Sequence, residues 1–201
     1  MISRSFFGYK NQISAAYQRY RTVLSILWKL TVFYGINACL CYGILFWKFS
    51  PTSREFLALT FFGIFIWTFL EYLIHRYFLH PQVKQPWLGK ILHYTHLKHH
   101  DDADDPHLFH IPLPMTLLVY FMVTVFLYLI FWRADYTLSV MAIIMICYVI
   151  FEWFHLWVHM TTSRKPIARW YRKHHFIHHY RDTNRCFGVT TPIWDYIFRT
   201  N

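Results

Sequence analysis

Four apolar runs dominate the chain, each near the roughly 20 residues that a helix needs to cross a bilayer. They cover about Leu30–Trp47, Phe56–Phe78, Ile111–Trp132 and Tyr136–Met160. None alternates with period two, so the pattern predicts helices rather than strands. The connectors differ in kind. Lys48–Glu55 is short and holds Pro51, and Arg133-Ala-Asp135 reads as a tight hairpin link. Pro81–His110 and Thr161–Asn201 are long, polar and rich in histidine. The second helix is expected to end between His75 and His80, near Pro81, because a proline disfavours helical geometry in the residue before it. The fold class that follows is an all-α integral membrane protein with four transmembrane helices and a polar cap. Residues 1–29 form an amino-terminal segment and residues 30–201 the membrane-embedded domain.

Composition agrees with this reading. The chain is 56% hydrophobic and only 15% charged, against about 25% charged in soluble domains. Charge then sets the orientation. Of 20 basic residues, 17 fall before the first run, in the middle loop with its flank, or in the tail, leaving Lys48, Arg54 and Arg133 for the other side. The positive-inside rule puts both termini, the middle loop and the tail in the cytoplasm. The membrane is expected to be the endoplasmic reticulum or a bacterial inner membrane. The net charge of +10 suits anionic headgroups or an acidic protein partner rather than nucleic acid, since the basic residues flank apolar spans. Cys39, Cys41, Cys147 and Cys186 form no C-x-x-C pair and read as buried small hydrophobes. The polar, basic start reads as no cleavable signal peptide.

The 14 histidines all lie at or after residue 75. Ten fall into four spaced groups: His75 and His80; His96, His99 and His100; His155 and His159; His175, His178 and His179. With the orientation above, all four groups meet at the cytoplasmic face. Imidazole is the commonest protein ligand for transition metals, and ten exceed the four that one structural zinc takes. They suit two metal ions with room for oxygen, a di-iron site, although spacing does not separate iron from zinc. On a helix, residues at i, i+3 and i+4 share a face, so each H-x-x-H-H group reads as one facing set. His75 and His80, five apart, fit one α-helical face poorly. His93, His107, His110 and His174 lack a matched group and read as supporting or loop residues.

Two acids interrupt apolar runs. Glu71 lies four residues before His75, and Glu152 three before His155. Each is placed to accept a hydrogen bond from a ligand's second ring nitrogen, with a helix-packing bond as the alternative. Asp101, Asp102, Asp104 and Asp105 read as a solvated acidic loop. Trp153, Phe154, Trp157 and Phe176 neighbour the histidines and are candidates to line a lipid channel.

At these residues the chain resembles the fatty acid hydroxylase superfamily of integral-membrane oxygenases, also called the sterol desaturase family. The resemblance runs from Glu71 to Thr200. It rests on Glu71-Tyr72 before His75-Arg76 and His80, the two H-x-x-H-H groups around His155-Leu-Trp-Val-His159, and then Phe187-Gly188-Val189-Thr190-Thr191, Trp194-Asp195 and Phe198-Arg199-Thr200. It implies a four-span fold with a cytosolic dimetal cap whose ten matching histidines hold two metals. It also implies O₂-dependent hydroxylation or desaturation of a lipid, with electrons from a donor of the cytochrome b5 or ferredoxin type. The longer H-R-x-x-x-H first group is most like fatty acid 2-hydroxylases, which implies attack near the head of an acyl chain, at C2. Those proteins often carry a cytochrome b5 domain. Residues 1–29 are too few for one and hold no His-Pro-Gly-Gly segment, so the donor is expected to be separate. The His107-Leu-Phe-His110 loop departs from the 2-hydroxylase pattern and leaves a sterol or carotenoid as the alternative substrate. A non-catalytic membrane metal-binding protein is the reading from a different class. It would want a polar path through the bilayer, and the spans offer only Glu71 and Glu152 near one end.

Overall fold

All regular secondary structure among the described residues is helical; the computed structural model describes residues 2–81, 85–103, 105 and 107–201, with the side chains of 2–16, Leu88, Leu92 and Thr95 outside that description. Asp104, named above, lies outside the described residues, as do Lys84 and the side chains of Arg4 and Lys10, three of the 17 basic residues counted for orientation. Four long helices carry the spans: α1 (Ile2–Lys48), α2 (Ser53–Leu73), α5 (Leu113–Phe131) and α6 (Ala134–Met160). Between α2 and α5 lie α3 (Pro86–Leu92) and α4 (Lys98–Asp101), and after α6 come α7 (Pro166–Tyr180) and α8 (Ile193–Ile197). Among the described residues, four stretches are long and apolar enough to cross a membrane: Tyr17–Lys48, Ser53–Leu79, Leu113–Phe131 and Ala134–Met160.

Local chemistry sets the boundaries. Pro51 follows the end of α1, and Thr52 then caps α2 in a capping box, its hydroxyl accepting the Glu55 N–H while Glu55 accepts the Thr52 N–H. The α5–α6 turn is tighter than the hairpin expected, because Trp132 takes a left-handed conformation at φ 49° and α6 starts at Ala134. Prolines open α3, α5 and α7 at positions where no amide hydrogen is needed.

α6 is the central helix, and α1, α2 and α5 all pack on it. Tyr34, Leu59, Trp67, Leu127, Val140, Met141, Ile144 and Tyr148 form one core. At Gly63 the α2 backbone comes so close to α6 that an added Cβ would sit 2.9 Å from the Ile143 side chain. A second core joins Val23 and Leu27 of α1 to Phe109 and Leu156. Residues 17–29 therefore continue α1 beside the cap, with no break at the expected start of the first run near Leu30.

Candidate metal centre

The second span ends at Leu79, between His75 and His80 and close to Pro81 as expected, but not as a plain α-helix. It changes pitch. Ile74–Leu79 is a π-helical turn, and the His80 N–H donates to the His75 carbonyl at 3.2 Å. A π turn bonds i to i+5, so it brings residues five apart onto one face. This corrects the reading that His75 and His80 fit one face poorly and puts the two imidazoles on one side despite their spacing. A second π turn, His93–Leu97, leads into α4.

The ten grouped histidines converge at the cap end of the spans as two sets. The ligand atoms of His75, His80, His96, His100 and His178 lie within 4.8 Å of one another, and so do those of His99, His155, His159 and His179. His175 joins the second set, its Nε2 lying 3.1 Å from that of His155 and 2.9 Å from that of His159. The H-x-x-H-H groups are therefore split rather than acting as single faces. In each, the i, i+4 pair (His96 with His100, His175 with His179) serves one set and the remaining member, His99 or His178, crosses to the other. The sets share a wall, where the rings of His100 and His179 stack with centroids 4.0 Å apart.

The arrangement passes a chemical test for a metal. Facing Nε2 atoms lie 2.9–3.3 Å apart. With metal–nitrogen bonds of about 2.0–2.1 Å, ligands at right angles stand about 3.0 Å apart and tetrahedral ones about 3.4 Å. His155, His159 and His175 meet through three Nε2 atoms. Three imidazole nitrogens meeting at a point repel one another unless a cation lies among them. Burial, reinforced by neighbouring imidazoles, pushes His80 and His99 down to about 3 and His100 to about 2. His96, His175, His178 and His179 move the same way for the same reasons. Neutral imidazoles are the form that binds metals.

The surrounding residues depart from the expectations. Glu71 does not meet a ligand ring. Its carboxylate accepts the Val189 N–H at 2.7 Å, the Thr190 N–H at 2.8 Å and the Thr190 hydroxyl. The ring of His75 is instead held by a main-chain carbonyl, its Nδ1–H donating to Phe187 O at 2.5 Å. His178 Nδ1–H likewise donates to Arg185 O at 2.7 Å. A carbonyl only accepts, so both rings carry the proton on Nδ1 and turn the Nε2 lone pair inward. Glu152 is buried one turn below His155, facing a small void shared with His75, His96 and Phe109.

Sequence reasoning missed two contributors, Asp195 and Phe109, and read a third, His174, only as a supporting or loop residue. Asp195, quoted only as part of a motif, is completely buried and accepts the Phe187 N–H at 2.9 Å, the Gly188 N–H at 2.7 Å and the Thr200 hydroxyl at 2.8 Å. Phe109, not His107 or His110, reaches the cluster, its ring centroid 4.9 Å from that of His99 and 5.1 Å from that of His159. His174 faces Asp195 at 3.5 Å. Burial alone would lower its pKa, but Asp195 and Cys186 outweigh that and raise it to about 9. Of the others, His93 lies 3.3 Å from Asp101 at the surface, and Asp105 accepts the His107 N–H.

Below the cap lies a cavity bounded by Trp67, Ile74, Phe78, Tyr120, Tyr148 and Phe151 and meeting His75 at its upper end. Its open wall is apolar. The aromatics that line it are not the four expected. Trp153 donates to the Thr31 hydroxyl at 2.8 Å, Phe154 packs on Trp157 and Tyr171, and Phe176 sits outside, against His159.

The fatty acid hydroxylase family model matches residues 60–200. The dihydroceramide fatty acyl 2-hydroxylase FAH1 of Arabidopsis thaliana is 32% identical over 73% of this chain and 61% of its own length. The fatty acid 2-hydroxylase of Mus musculus is 32% identical over 72% of this chain and 40% of its own, and the ceramide very long chain fatty acid hydroxylase SCS7 of Saccharomyces cerevisiae 30% over 69% and 36%. The chain thus matches between about a third and three fifths of the length of these relatives. The solved structure titled full length scs7p, with only the hydroxylase domain visible, superposes with a TM-score of 0.77 at 22% identity, covering 87% of this chain and 66% of that one.

Proposed function

This chain belongs to the fatty acid hydroxylase family, and from that premise we propose that it is a membrane di-iron, O₂-dependent lipid hydroxylase acting on a fatty acyl chain near its head, at C2. The observation that carries the proposal is that His75, one of ten clustered histidines, also lines the apolar cavity below the cap. Names of the relatives support the substrate class: two are fatty acyl 2-hydroxylases and one a ceramide very long chain fatty acid hydroxylase.

The proposed ligands are His75, His80, His96, His99, His100, His155, His159, His175, His178 and His179. The bound pair supplies the activation of O₂ with two electrons from a separate donor of the cytochrome b5 or ferredoxin type. In balance, one C–H bond is replaced by C–OH, and the second oxygen leaves as water with two protons. The chain's own residues do the rest. Trp67, Phe78, Tyr120 and Phe151 hold the acyl chain by apolar contact and exclude water, which keeps the reaction on the lipid. α2 and α5 both lie on α6 but pack little on each other, so the cavity between them faces the bilayer, and a chain can slide in from its side. A chain lying in it has its head uppermost, at the level of His75, so a carbon beside the head is the one presented. Glu152 and the loop held by Glu71 steady the histidines above it. Residues 1–29, the cap and both termini are assigned to the cytoplasm on the positive-inside rule, in the endoplasmic reticulum or a bacterial inner membrane.

The test is to supply the purified chain with a reduced donor, O₂ and long-chain acyl lipids, then locate new oxygen by fragmentation. Oxygen at C2 supports the assignment. Oxygen found only on a sterol or carotenoid ring refutes the substrate and keeps the metal chemistry, and no oxygen in a metal-loaded protein favours a non-catalytic metal binder.

A further inference from the structure

The loop from Arg185 to Thr190 ties down one histidine set and not the other. Four successive amides, from Phe187 to Thr190, all donate to buried carboxylates, the first two to Asp195 and the next two to Glu71. The Phe187–Gly188 peptide does two jobs. Its N–H goes to Asp195 at 2.7 Å and its carbonyl takes the His75 Nδ1–H at 2.5 Å. The Arg185–Cys186 peptide repeats the pattern. Its N–H goes to Thr200 O at 2.6 Å and its carbonyl takes the His178 Nδ1–H at 2.7 Å. An N–H bound to a carboxylate polarises its own peptide, making the carbonyl a stronger acceptor. Negative charge thus reaches His75 through one peptide bond. Gly188 is required there, because a Cβ would collide with the Thr191 carbonyl and crowd Asp195.

Both peptides serve the set of His75, His80, His96, His100 and His178. In the other set, His99, His175 and His179 each bury an Nδ1 with no partner among the described residues, whereas in the first set only His100 does. Partners on the far nitrogen fix tautomer and orientation and raise ligand basicity, and their loss costs about 10–100-fold in metal affinity. Resting on the metal-binding reading above, we propose that the two metal sites are unequal: the His75 set is the tight site, with Asp195 as its positioning residue, and the His155 set is the loose one.

The test uses the full chain in detergent and Co²⁺ alone as the probe, titrated against a competing chelator while its visible bands are followed. Wild type is expected to take two ions in two steps at least about 10-fold apart. His80→Ala should delete the tight step and its bands, and His159→Ala the loose one. Asp195→Asn, which leaves one acceptor oxygen where there were two, should weaken the tight step about 10–100-fold and move the loose step by less than about 2-fold. Were that variant not to insert, Thr200→Val, which removes one bond to Asp195, should move the same step by less. A single step for both ions, or a Co²⁺ step order reversed between His80→Ala and His159→Ala, would overturn the proposal. So would Asp195→Asn or Thr200→Val weakening both steps alike or neither. Wild type that takes up no Co²⁺ would defeat the metal reading itself, and this proposal with it.

Discussion

Along the spans, Phe61, Phe121 and Phe126 turn 69%, 66% and 62% of their surface outward, whereas in the cap His99, His175 and His178 expose 1% or less. The membrane half is apolar outside, and the cap is polar inside. Each is costly in water and each has a remedy: lipid for the first, a cation for the second. The difference teaches where sequence change is tolerated. The lipid-facing wall asks only for apolar character and helical propensity. The cap asks for particular atoms at particular distances, so its tolerance is small.

The largest expected effect is in the cap. His178→Ala should abolish metal-dependent turnover while the chain still inserts, as judged by metal analysis and protease mapping of the purified protein. An inserted variant with wild-type metal and activity would break the contrast. Next comes Glu152→Gln, one turn below His155. It should keep the fold and lower metal affinity or turnover by about 10–100-fold, and unchanged kinetics would make Glu152 a packing residue.

pH sharpens the contrast further. His80, His99 and His100 are held far below their ordinary 6.5 in the folded chain. Between those values and 6.5 the unfolded chain binds more protons, so stability rises with pH there and is lost as pH falls below about 6.5. His174 runs the other way. Its contribution is complete below 6.5 and is lost as pH rises through about 9. Thermal scans of the metal-free protein should therefore show a Tm that falls as pH drops below 6.5 and falls, by less, as pH rises from 6.5 to about 9. A Tm flat from pH 7 to 5 would contradict the burial of neutral imidazoles. The smallest effect belongs to the spans: Phe121→Leu, on the lipid-facing wall, should change stability and turnover little, within about 0.5 kcal/mol.

The membrane half was legible because the bilayer imposes a one-dimensional rule that hydropathy reads directly. All four spans were found, with ends shifted by a few residues except for α1, which runs on past Leu30 to pack Val23 and Leu27 beside the cap. The histidines were legible as a set, since ten imidazoles in four groups have few other uses. Their partition was not. The i, i+3, i+4 rule says which residues lie near one face, but an i, i+3 pair diverges enough to reach two neighbouring centres. The His75–His80 pairing depends on a π turn, for which these residues carry no simple signal. Asp195 and the carbonyls of Arg185 and Phe187 were out of reach for another reason. Main-chain acceptors leave no mark in sequence, and Asp195 meets His75 only through the fold.

The central claim is that ten histidines from four parts of the chain form one centre for two metal ions, and iron content tests it most directly. The full chain should be expressed with iron, purified without chelator and assayed for metal per polypeptide. The account predicts close to two ions per chain, falling by about one in His80→Ala and in His159→Ala, as expected for sites of this ligand type. A stoichiometry of one or none in the folded wild-type protein, or two ions that survive both substitutions, would contradict it.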